Sequence, residues 1–312
     1  MPQFLVSRVF YSLLCFASLA SLALTSACVS RLGPPEAPIL QTLSGSTAAA
    51  MATKLDALLP ADVLMLGEQH DAAEHQQIEQ QVVANLSARG LLAAVALEMA
   101  DAGVSTARLQ PSSTEAEARK ALNWNEEGWP WAAYGPAVMT AVRAGIPVIG
   151  ANLPRAQMKS SMADNQLDAQ LPGPALKAQQ QLIRIGHCNL LPESQITPMT
   201  RIQVAKDISM AKTLHQAAFP GKVVVLLAGN GHVDRDLGVP QHLPAELKVK
   251  AIRLRAEING DSPVGERTAF DSIWATPALP DIDYCEGLRE QLAPKSGSDS
   301  GSKASSKPNP MP

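Results

Sequence analysis

Short apolar runs alternate with longer amphipathic stretches between residues 51 and 254. Each run is four to six residues long, and most end at a glycine or an acidic residue, which is typical of buried strands. These runs predict strands at residues 63–66, 92–97, 146–150, 223–227 and 249–254. Strands separated by helical patterns predict an α/β fold, with a mainly parallel sheet, right-handed crossovers and flanking helices.

The stretches between the predicted strands carry helix signals. Asp71 is the predicted N-cap of the first long helix, because an acidic residue follows three positions later. Thr114 and Glu117 form a second capping-box pattern. Pro136 suits the first turn of a helix over residues 136–143.

A long region without strand signals lies within the predicted domain, which spans residues 51–293. Residues 155–220 are rich in Gln, Ala, Lys and Met, and prolines at 172, 174 and 192 interrupt the helical pattern. We predict that this region is an all-helical cap over the sheet. Residues 294–312 consist mostly of Ser, Gly, Lys and Pro and predict a disordered tail.

The N-terminal segment predicts export. Arg8 precedes an apolar run over residues 9–24, and small residues follow up to Cys28, as in a secretory signal. The run is short for a membrane span. Residues 1–27 resemble a lipoprotein signal with Cys28 as the lipidated residue, and ordinary cleavage after Ala27 is the alternative. Residues 28–50 are small, polar and proline-bearing, which predicts a flexible tether.

The net charge bears on the class of ligand, and the cysteine content bears on which disulfide can form. The formal net charge of −3 and the pI near 6.1 do not indicate a nucleic-acid-binding protein. Cys15 would leave with the signal and Cys28 would carry lipid, so Cys188 and Cys285 remain for a disulfide in an oxidising compartment.

Polar side chains follow four of the predicted strands. Glu68 and His70 follow the first strand, Glu98 the second, Asn152 and Arg155 the third, and His232 the fourth. Because ligands bind outside the carboxyl ends of the strands in an open α/β sheet, we expect these side chains to share one edge.

Imidazoles and carboxylates at one edge can hold a divalent transition metal and leave a position for water. The predicted metal ligands are Glu68, His70, His75, Glu98 and His232. Metal-bound water would be the nucleophile of a hydrolase, with Glu68 and His70 as its catalytic residues. His75 also lies on the apolar stripe of the first helix, so a hydrogen-bonded core histidine is the alternative for this residue.

Aromatic residues are concentrated in one stretch. Trp129, Trp131 and Tyr134 lie within six positions. Large aromatic faces suit a flat apolar ligand such as a porphyrin, and tyrosinate is one of the known ligands of haem iron. Arg155 could pair with a propionate or a phosphate. The alternative is a lid that packs onto the core through its tryptophans.

Six segments together resemble the ChaN-like haem-binding uptake family of the Tiki superfamily. They are LGEQHDAAEH (66–75), ALEM (96–99), WPWAAYGP (129–136), IPVIGANLPR (146–155), QVAKDISMA (203–211) and LAGNGHVDRDLGVP (227–240). The segments occur in order and cover most of residues 62–254.

This resemblance implies an α/β core with a helical subdomain, and haem binding linked to iron acquisition. Together with the lipoprotein-like signal, it predicts a protein that is lipid-anchored in the cell envelope, expected at the outer membrane, and binds haem or iron. It also implies dimerisation around the haem in some members, and an outer-membrane haem receptor is the expected partner. Tyr134 is the candidate haem ligand, with Trp129, Trp131 and Arg155 as further contacts. Glu68, His70, Glu98 and His232 match the polar site of the superfamily, with His75 as their companion. More distant relatives include metal-dependent peptidases and erythromycin-esterase-like enzymes, so the alternative function is metal-dependent hydrolysis of a peptide, ester or amide.

Overall fold

A single parallel sheet organises the chain. The computed structural model describes residues 39–42, 48–257 and 269–292, so the signal, Cys28, most of the tether and the tail lie outside the described residues. The strands are β1 (Ile39–Thr42), β2 (Val63–Glu68), β3 (Leu92–Asp101), β4 (Val148–Asn152), β5 (Val223–Gly229), β6 (Val249–Ala256) and β7 (Ser272–Thr276). Their order is β1-β7-β6-β2-β5-β3-β4, and each neighbouring pair is parallel. The predicted α/β class with a parallel sheet is therefore confirmed.

Helices cover both faces of this sheet. They are α1 (Ala48–Asp56), α2 (Ala73–Ala88), α3 (Glu115–Ala121), α4 (Trp131–Arg143), α5 (Met158–Ala163), α6 (Gly173–Gly186), α7 (Glu193–Ala217), α8 (Asn230–Val233) and α9 (Tyr284–Leu292). Short 3-10 turns occupy Arg155–Gln157, Asn165–Ala169 and Val239–His242. None of the helices in the described part of the chain is both long enough and apolar enough to cross a membrane.

The two faces of the sheet bury separate apolar clusters. Leu64 and Leu66 of β2 pack in the cluster that includes α1, α2 and α4, whereas Val63 and Met65 pack in the cluster that includes α7. Because both faces are covered, β2 and β5 are buried at every position, and their sequences are continuous apolar runs.

The strand order brings the predicted site residues together. β5 lies between β2 and β3, with Glu68 beside Gly229 and Leu97 beside Leu227 in the register. The carboxyl ends of β2, β5 and β3 therefore form one continuous stretch, which we call the site edge. Glu68 and Glu98 lie there because each is at or near the end of its strand.

Two helix starts differ from the prediction, and one capping box agrees with it. The N-cap of α2 is Ala72, which has no polar side chain and makes no side-chain capping bond. The Asp71 carboxylate accepts a hydrogen bond from the Tyr284 hydroxyl. Helix α4 begins at Trp131, and Pro136 lies inside it. The capping box of Thr114 and Glu117 forms as predicted.

Two strands were not predicted. β1 lies within the region predicted as a tether and pairs with β7 at one end of the sheet. A four-residue strand between polar stretches carries too few alternations to be recognised from sequence. β7 is also short, and its Trp274 is buried in the core.

The cap is helical and is tied to the C-terminal region. Residues 155–217 contain α5, α6, α7 and two 3-10 turns, and no strand is found among these described residues. Cys188, just after α6, forms a disulfide with Cys285 of α9, with a Cα–Cα distance of 5.7 Å. The pairing that sequence left open is therefore formed in the structure.

Candidate functional site

Glu68 anchors one half of the site. Its Oε1 accepts hydrogen bonds from the Tyr134 hydroxyl and from Nδ1 of His70, both at 2.8 Å. Its Oε2 accepts a short hydrogen bond from the side-chain amide of Gln76. Three donors on one carboxylate explain how Glu68 can be buried, since each replaces a hydrogen bond to water.

Glu98 anchors the other half. Its Oε2 accepts a hydrogen bond from the backbone N–H of Gly229 at 2.9 Å, and its Oε1 lies 3.1 Å from Nε2 of His232. The ammonium group of Lys206 lies 3.7 Å from the same Oε1. Burial alone would raise the pKa of Glu98, but the His232 charge, its hydrogen bond and Lys206 hold this pKa well below the usual range.

His232 lies between two carboxylates. Its Nδ1 lies 2.5 Å from Oδ1 of Asp207, and its Nε2 faces Glu98. Burial alone would lower the pKa of His232, but the charges of Glu98 and Asp207 and their hydrogen bonds raise it to about 9. The imidazole therefore holds both protons at neutral pH and donates to a carboxylate from each ring nitrogen.

Asp207 has a different environment from Glu98. Burial raises its pKa to about 6, although the charge of His232 and the hydrogen bond to it act in the opposite direction. Its Oδ2 is buried and has no hydrogen-bond partner among the described residues. Gln203, one helical turn earlier on α7, also reaches Nδ1 of His232 at 3.0 Å.

His70 connects the two halves. Its Nε2 lies 3.9 Å from Oε2 of Glu98, while its Nδ1 is held by Glu68. Burial would lower the pKa of His70, but the hydrogen bond to Glu68 and the charge of Glu98 raise it. The His70 side chain is 14% exposed, more than those of Glu68, Glu98 or His232. Glu68, His70, Glu98 and His232, together with Tyr134 and Asp207, form what we call the polar network. His70 is the most accessible of these six side chains to a ligand.

Gly229 leaves the space that His70 occupies. A Cβ atom at this position would lie 2.9 Å from Nε2 and 3.2 Å from Cε1 of His70. Because it has no side chain, Gly229 therefore admits the imidazole of His70.

His75 does not join the site, and its prediction as a metal ligand is wrong. The side chain is buried in the core, where Nδ1 accepts a hydrogen bond from the backbone N–H of Gln69 at 2.9 Å. Nε2 lies 3.0 Å from the hydroxyl of Thr276, so both ring nitrogens are occupied. Burial lowers the pKa of His75 to about 4, and the ring is a neutral core histidine.

The other four predicted metal ligands do converge, but as hydrogen-bonded pairs. Glu68 contacts His70, and Glu98 contacts His232. In the part of the chain that the structure describes, no three His, Cys, Asp or Glu side chains are arranged to hold a metal ion. The five-residue ligand set is therefore not assembled as predicted.

The aromatic cluster lies beside this network. Trp129 is half-buried and meets His70 edge-on, with ring centroids 4.8 Å apart. Trp131 is buried, and its indole N–H donates to Glu115. Arg155 lies near the end of β4, where its side chain is exposed and its backbone N–H bonds Asp101. Among Trp129, Trp131 and Arg155, only Trp129 has a ring contact with His70 in the part of the chain that the structure describes.

Tyr134 belongs to the polar network itself. It is 1% exposed, and its hydroxyl donates to Glu68. Burial and the adjacent negative charge of Glu68 raise the pKa of Tyr134 far above its usual value. A buried neutral phenol that is already hydrogen-bonded is poorly placed to bind haem iron as a phenolate, so the structure does not support the predicted role of Tyr134 as the iron ligand.

Several site residues were missed from sequence. Asp207 and Lys206 lie on α7 and Gln76 lies on α2, and none of them is adjacent to a strand end. One sequence feature pointed to Asp207: it is a charged residue on the buried stripe of α7, where most residues are apolar. Glu79, one turn after Gln76, is also buried, and neither of its carboxyl oxygens has a hydrogen-bond partner among the described residues. Burial and then the charge of Glu68 raise the pKa of Glu79, which favours the protonated form.

Comparison with known proteins agrees with the geometry. The model of the family described as haem-binding uptake, Tiki superfamily, ChaN matches residues 54–243. The chain belongs to this ChaN-like family. No curated protein matches the chain. The residues of the polar network all lie inside the matched range, and the C-terminal partner of the disulfide lies outside it.

Solved structures of related fold include one ChaN protein. A structure described as cofacial haem binding to ChaN of Campylobacter jejuni has 28% sequence identity and a TM-score of 0.56, covering 67% of this chain and 87% of that chain. The type III effector HopBA1 has 18% identity and a TM-score of 0.44, covering 73% of this chain and 94% of that one. The effector domain RRSP of a Vibrio vulnificus toxin has 13% identity and a TM-score of 0.38, covering 68% of this chain and 36% of that one.

The charge on His232 gives this ChaN-like domain a stability that depends on pH. The folded-state pKa of about 9 lies above the ordinary 6.5, so the stabilisation is complete below about pH 6.5 and is lost as the pH rises through 9. The difference between these pKa values corresponds to about 3 kcal/mol of unfolding free energy. We expect wild-type protein to lose about this much more stability than His232→Asn between pH 6.5 and 10, in urea unfolding at each pH. Parallel pH profiles for the two proteins would contradict the assignment of charge to His232.

Proposed function

We propose that this chain binds haem in the cell envelope as part of iron acquisition. The observation that carries the proposal is membership of the haem-binding uptake family across residues 54–243. The haem-bound Campylobacter protein, at 28% identity, supports the same ligand for this chain. Haem is here the cargo, and the protein need only hold it and release it.

Within this domain, haem would contact the site edge from outside. A porphyrin needs an exposed face, and Glu68, Glu98 and His232 are too buried to provide one. Trp129 is half-buried, and His70 is the most exposed member of the network. We place the haem against these two residues, with the exposed Arg155 as a partner for a propionate.

His70 replaces Tyr134 as the proposed iron-binding residue. A histidine that binds metal commonly donates its other ring N–H to a carboxylate, which fixes the tautomer and makes the free nitrogen more basic. Nδ1 of His70 is held by Glu68 in this way, and Nε2 lies 3.9 Å from the nearest carboxylate oxygen of Glu98. The geometry at His70 therefore fits the requirements of an iron ligand better than the buried phenol does.

A haemin titration tests this proposal. We expect a Soret band when haemin is added to the purified chain, and an affinity about tenfold or more weaker in His70→Ala, because the iron ligand is lost. Trp129→Ala should weaken binding as well, since the ring that packs against haem is removed. Tyr134→Phe should retain most of the affinity. His215→Ala, which changes an exposed histidine on α7, is the matched control.

The same titration can contradict each part of the proposal. Absence of a Soret shift would reject haem as the ligand. Loss of the band in Tyr134→Phe with full retention in His70→Ala would restore the phenol as the ligand.

Because the related Campylobacter protein is described as binding haem cofacially, we also propose a haem-linked homodimer. Its mass can be read by light scattering with and without haemin.

We further propose that a lipid on Cys28 anchors the protein at the outer membrane, where a haem receptor would be its partner. The support is the signal-like segment that ends in small residues before Cys28. A single lipid-modified residue and the ten residues between Cys28 and β1 would connect the membrane to the folded domain in the adjoining aqueous space.

Radioactive palmitate labelling in a bacterial host tests the anchor. We expect label on the wild-type chain and none on Cys28→Ser, because the acceptor thiol is absent. Cys15→Ser should keep the label and serves as the control, since Cys15 lies within the predicted signal. Label that persists in Cys28→Ser would reject this cysteine as the attachment site.

A second candidate function is hydrolysis of a peptide, ester or amide, and we propose it because of the buried network. Clusters of ionisable groups with strongly shifted pKa values are more common at catalytic sites than elsewhere. Here Glu98 is held ionised, His232 is held protonated and Tyr134 is held neutral. His232 can then act as a general acid, while Glu98 and Tyr134 supply a hydrogen-bond acceptor and a hydrogen-bond donor in the same small volume.

Hydrolysis of a panel of chromogenic esters and peptides tests this second candidate. We expect activity to fall about a hundredfold or more in His232→Ala, because a general acid–base group contributes on that scale. His215→Ala is again the control. Assay with and without a chelator, with Mn, Co and Zn measured in the protein, distinguishes a metal-dependent reaction from one that uses side chains alone. Equal activity in wild type and His232→Ala would reject the network as the catalytic site.

A further inference from the structure

The C-terminal segment leaves the sheet at the same edge as the site and contacts the turn after β2. β7 ends at Thr276, whose hydroxyl contacts His75 near the start of α2. Because β7 is parallel to β2, its carboxyl end lies at the same edge of the sheet as Glu68. Residues 277–292, which we call the strap, continue from this point and include α9.

Two adjacent residues attach the strap to different parts of the molecule. The Tyr284 hydroxyl donates to Oδ2 of Asp71, which directly follows His70 in the turn after β2. Cys285 is joined by the disulfide to Cys188, at the end of α6 in the cap. Because Tyr284 and Cys285 are neighbours in the chain, the first turn of α9 links the turn after β2 to the helical cap.

The strap has few other means of staying in place. Most side chains of residues 277–289 are exposed, and Leu279, Cys285 and Leu288 are only half-buried. A helix of nine residues is marginal in water when it buries little apolar surface. The ion pair between Arg289 and Asp283 joins two residues of the strap to each other, so it does not hold the strap to the domain.

We propose that the Cys188–Cys285 disulfide is a redox-sensitive clasp that holds the cap against the site edge and restricts access to His70 and Trp129. Reduction by a dithiol releases it. A thiolate of the reductant attacks one cysteine sulfur and breaks the S–S bond, and the second reductant thiolate then resolves the mixed disulfide. The protein gains two thiols, and the dithiol becomes a disulfide.

Release has a defined structural consequence. Without the disulfide, the cap and the turn at Asp71 are no longer connected through the strap, and the one remaining hydrogen bond that is defined between the strap and this turn, at Tyr284, is exposed to competition from water. The turn that carries His70 and the end of α6 then open more often, while the sheet keeps its buried strands. This inference does not depend on haem, because it concerns the opening of the site and not its ligand.

Hydrogen exchange measured by mass spectrometry tests the clasp on the mature chain. We expect exchange in residues 69–72 and 186–190 to speed up about tenfold or more when the wild-type protein is treated with a dithiol reductant. Cys285→Ser should give the same pattern without reductant. Residues 224–227 of β5 should keep their protection, because they are buried in the sheet.

Two variants separate the attachments. Tyr284→Phe should accelerate exchange in residues 69–72 and leave residues 186–190 unchanged, because the disulfide still holds the cap. Arg289→Ala is the matched control, since it changes the strap but keeps both attachments, and it should match wild type. Unchanged exchange at residues 69–72 and 186–190 in protein with both thiols free would overturn the proposal. Equal acceleration throughout β5 would also overturn it, since that pattern shows global destabilisation.

Discussion

The site depends on one buried cation held between two carboxylates. His232 donates from one ring nitrogen to Glu98 and from the other to Asp207. Removing either acid would leave one ring N–H of His232 buried without a hydrogen-bond partner, and such a loss costs about 1–3 kcal/mol or more for a charged group. Glu98 belongs to β3, Asp207 to α7 and His232 to α8, so this pair of contacts also joins the sheet to the cap.

The sheet makes this arrangement possible by placing β5 between β2 and β3. Gly229, at the end of β5, lies beside Glu68 in the register and donates its backbone N–H to Glu98. The two carboxylates are therefore held apart by a strand, and His70 lies across the gap between them. Glu68 and Glu98, which anchor the two halves of the network, are therefore held in place by the backbone of the buried strands β2 and β3.

The ends of the strands were predictable because the signals are local. An apolar run that stops at a polar residue places that residue at the carboxyl end of a strand, and Glu68, Glu98 and His232 were found in this way. Asp207 could not be placed, since its partner is 25 residues away and depends on how α7 crosses the sheet. His75 was misassigned because a core histidine and a ligand look alike until the partners of both nitrogens are known. The burial of Tyr134, which favours His70 over the phenol as the proposed haem ligand, is a property of the packed α4 and is absent from the local sequence.

The missing side chain at Gly229 also lets the His70 ring lie against the main chain. A Cβ atom at this position would lie 2.9 Å from Nε2, so a side chain there would force the ring to shift from its place 3.9 Å from Glu98. Gly229 ends a strand that is buried at every position, and buried strands open less often than loops do. A change in the NMR signals of the His70 ring on adding a ligand would therefore report the arrival of the ligand, with little contribution from rearrangement of the strand beneath it.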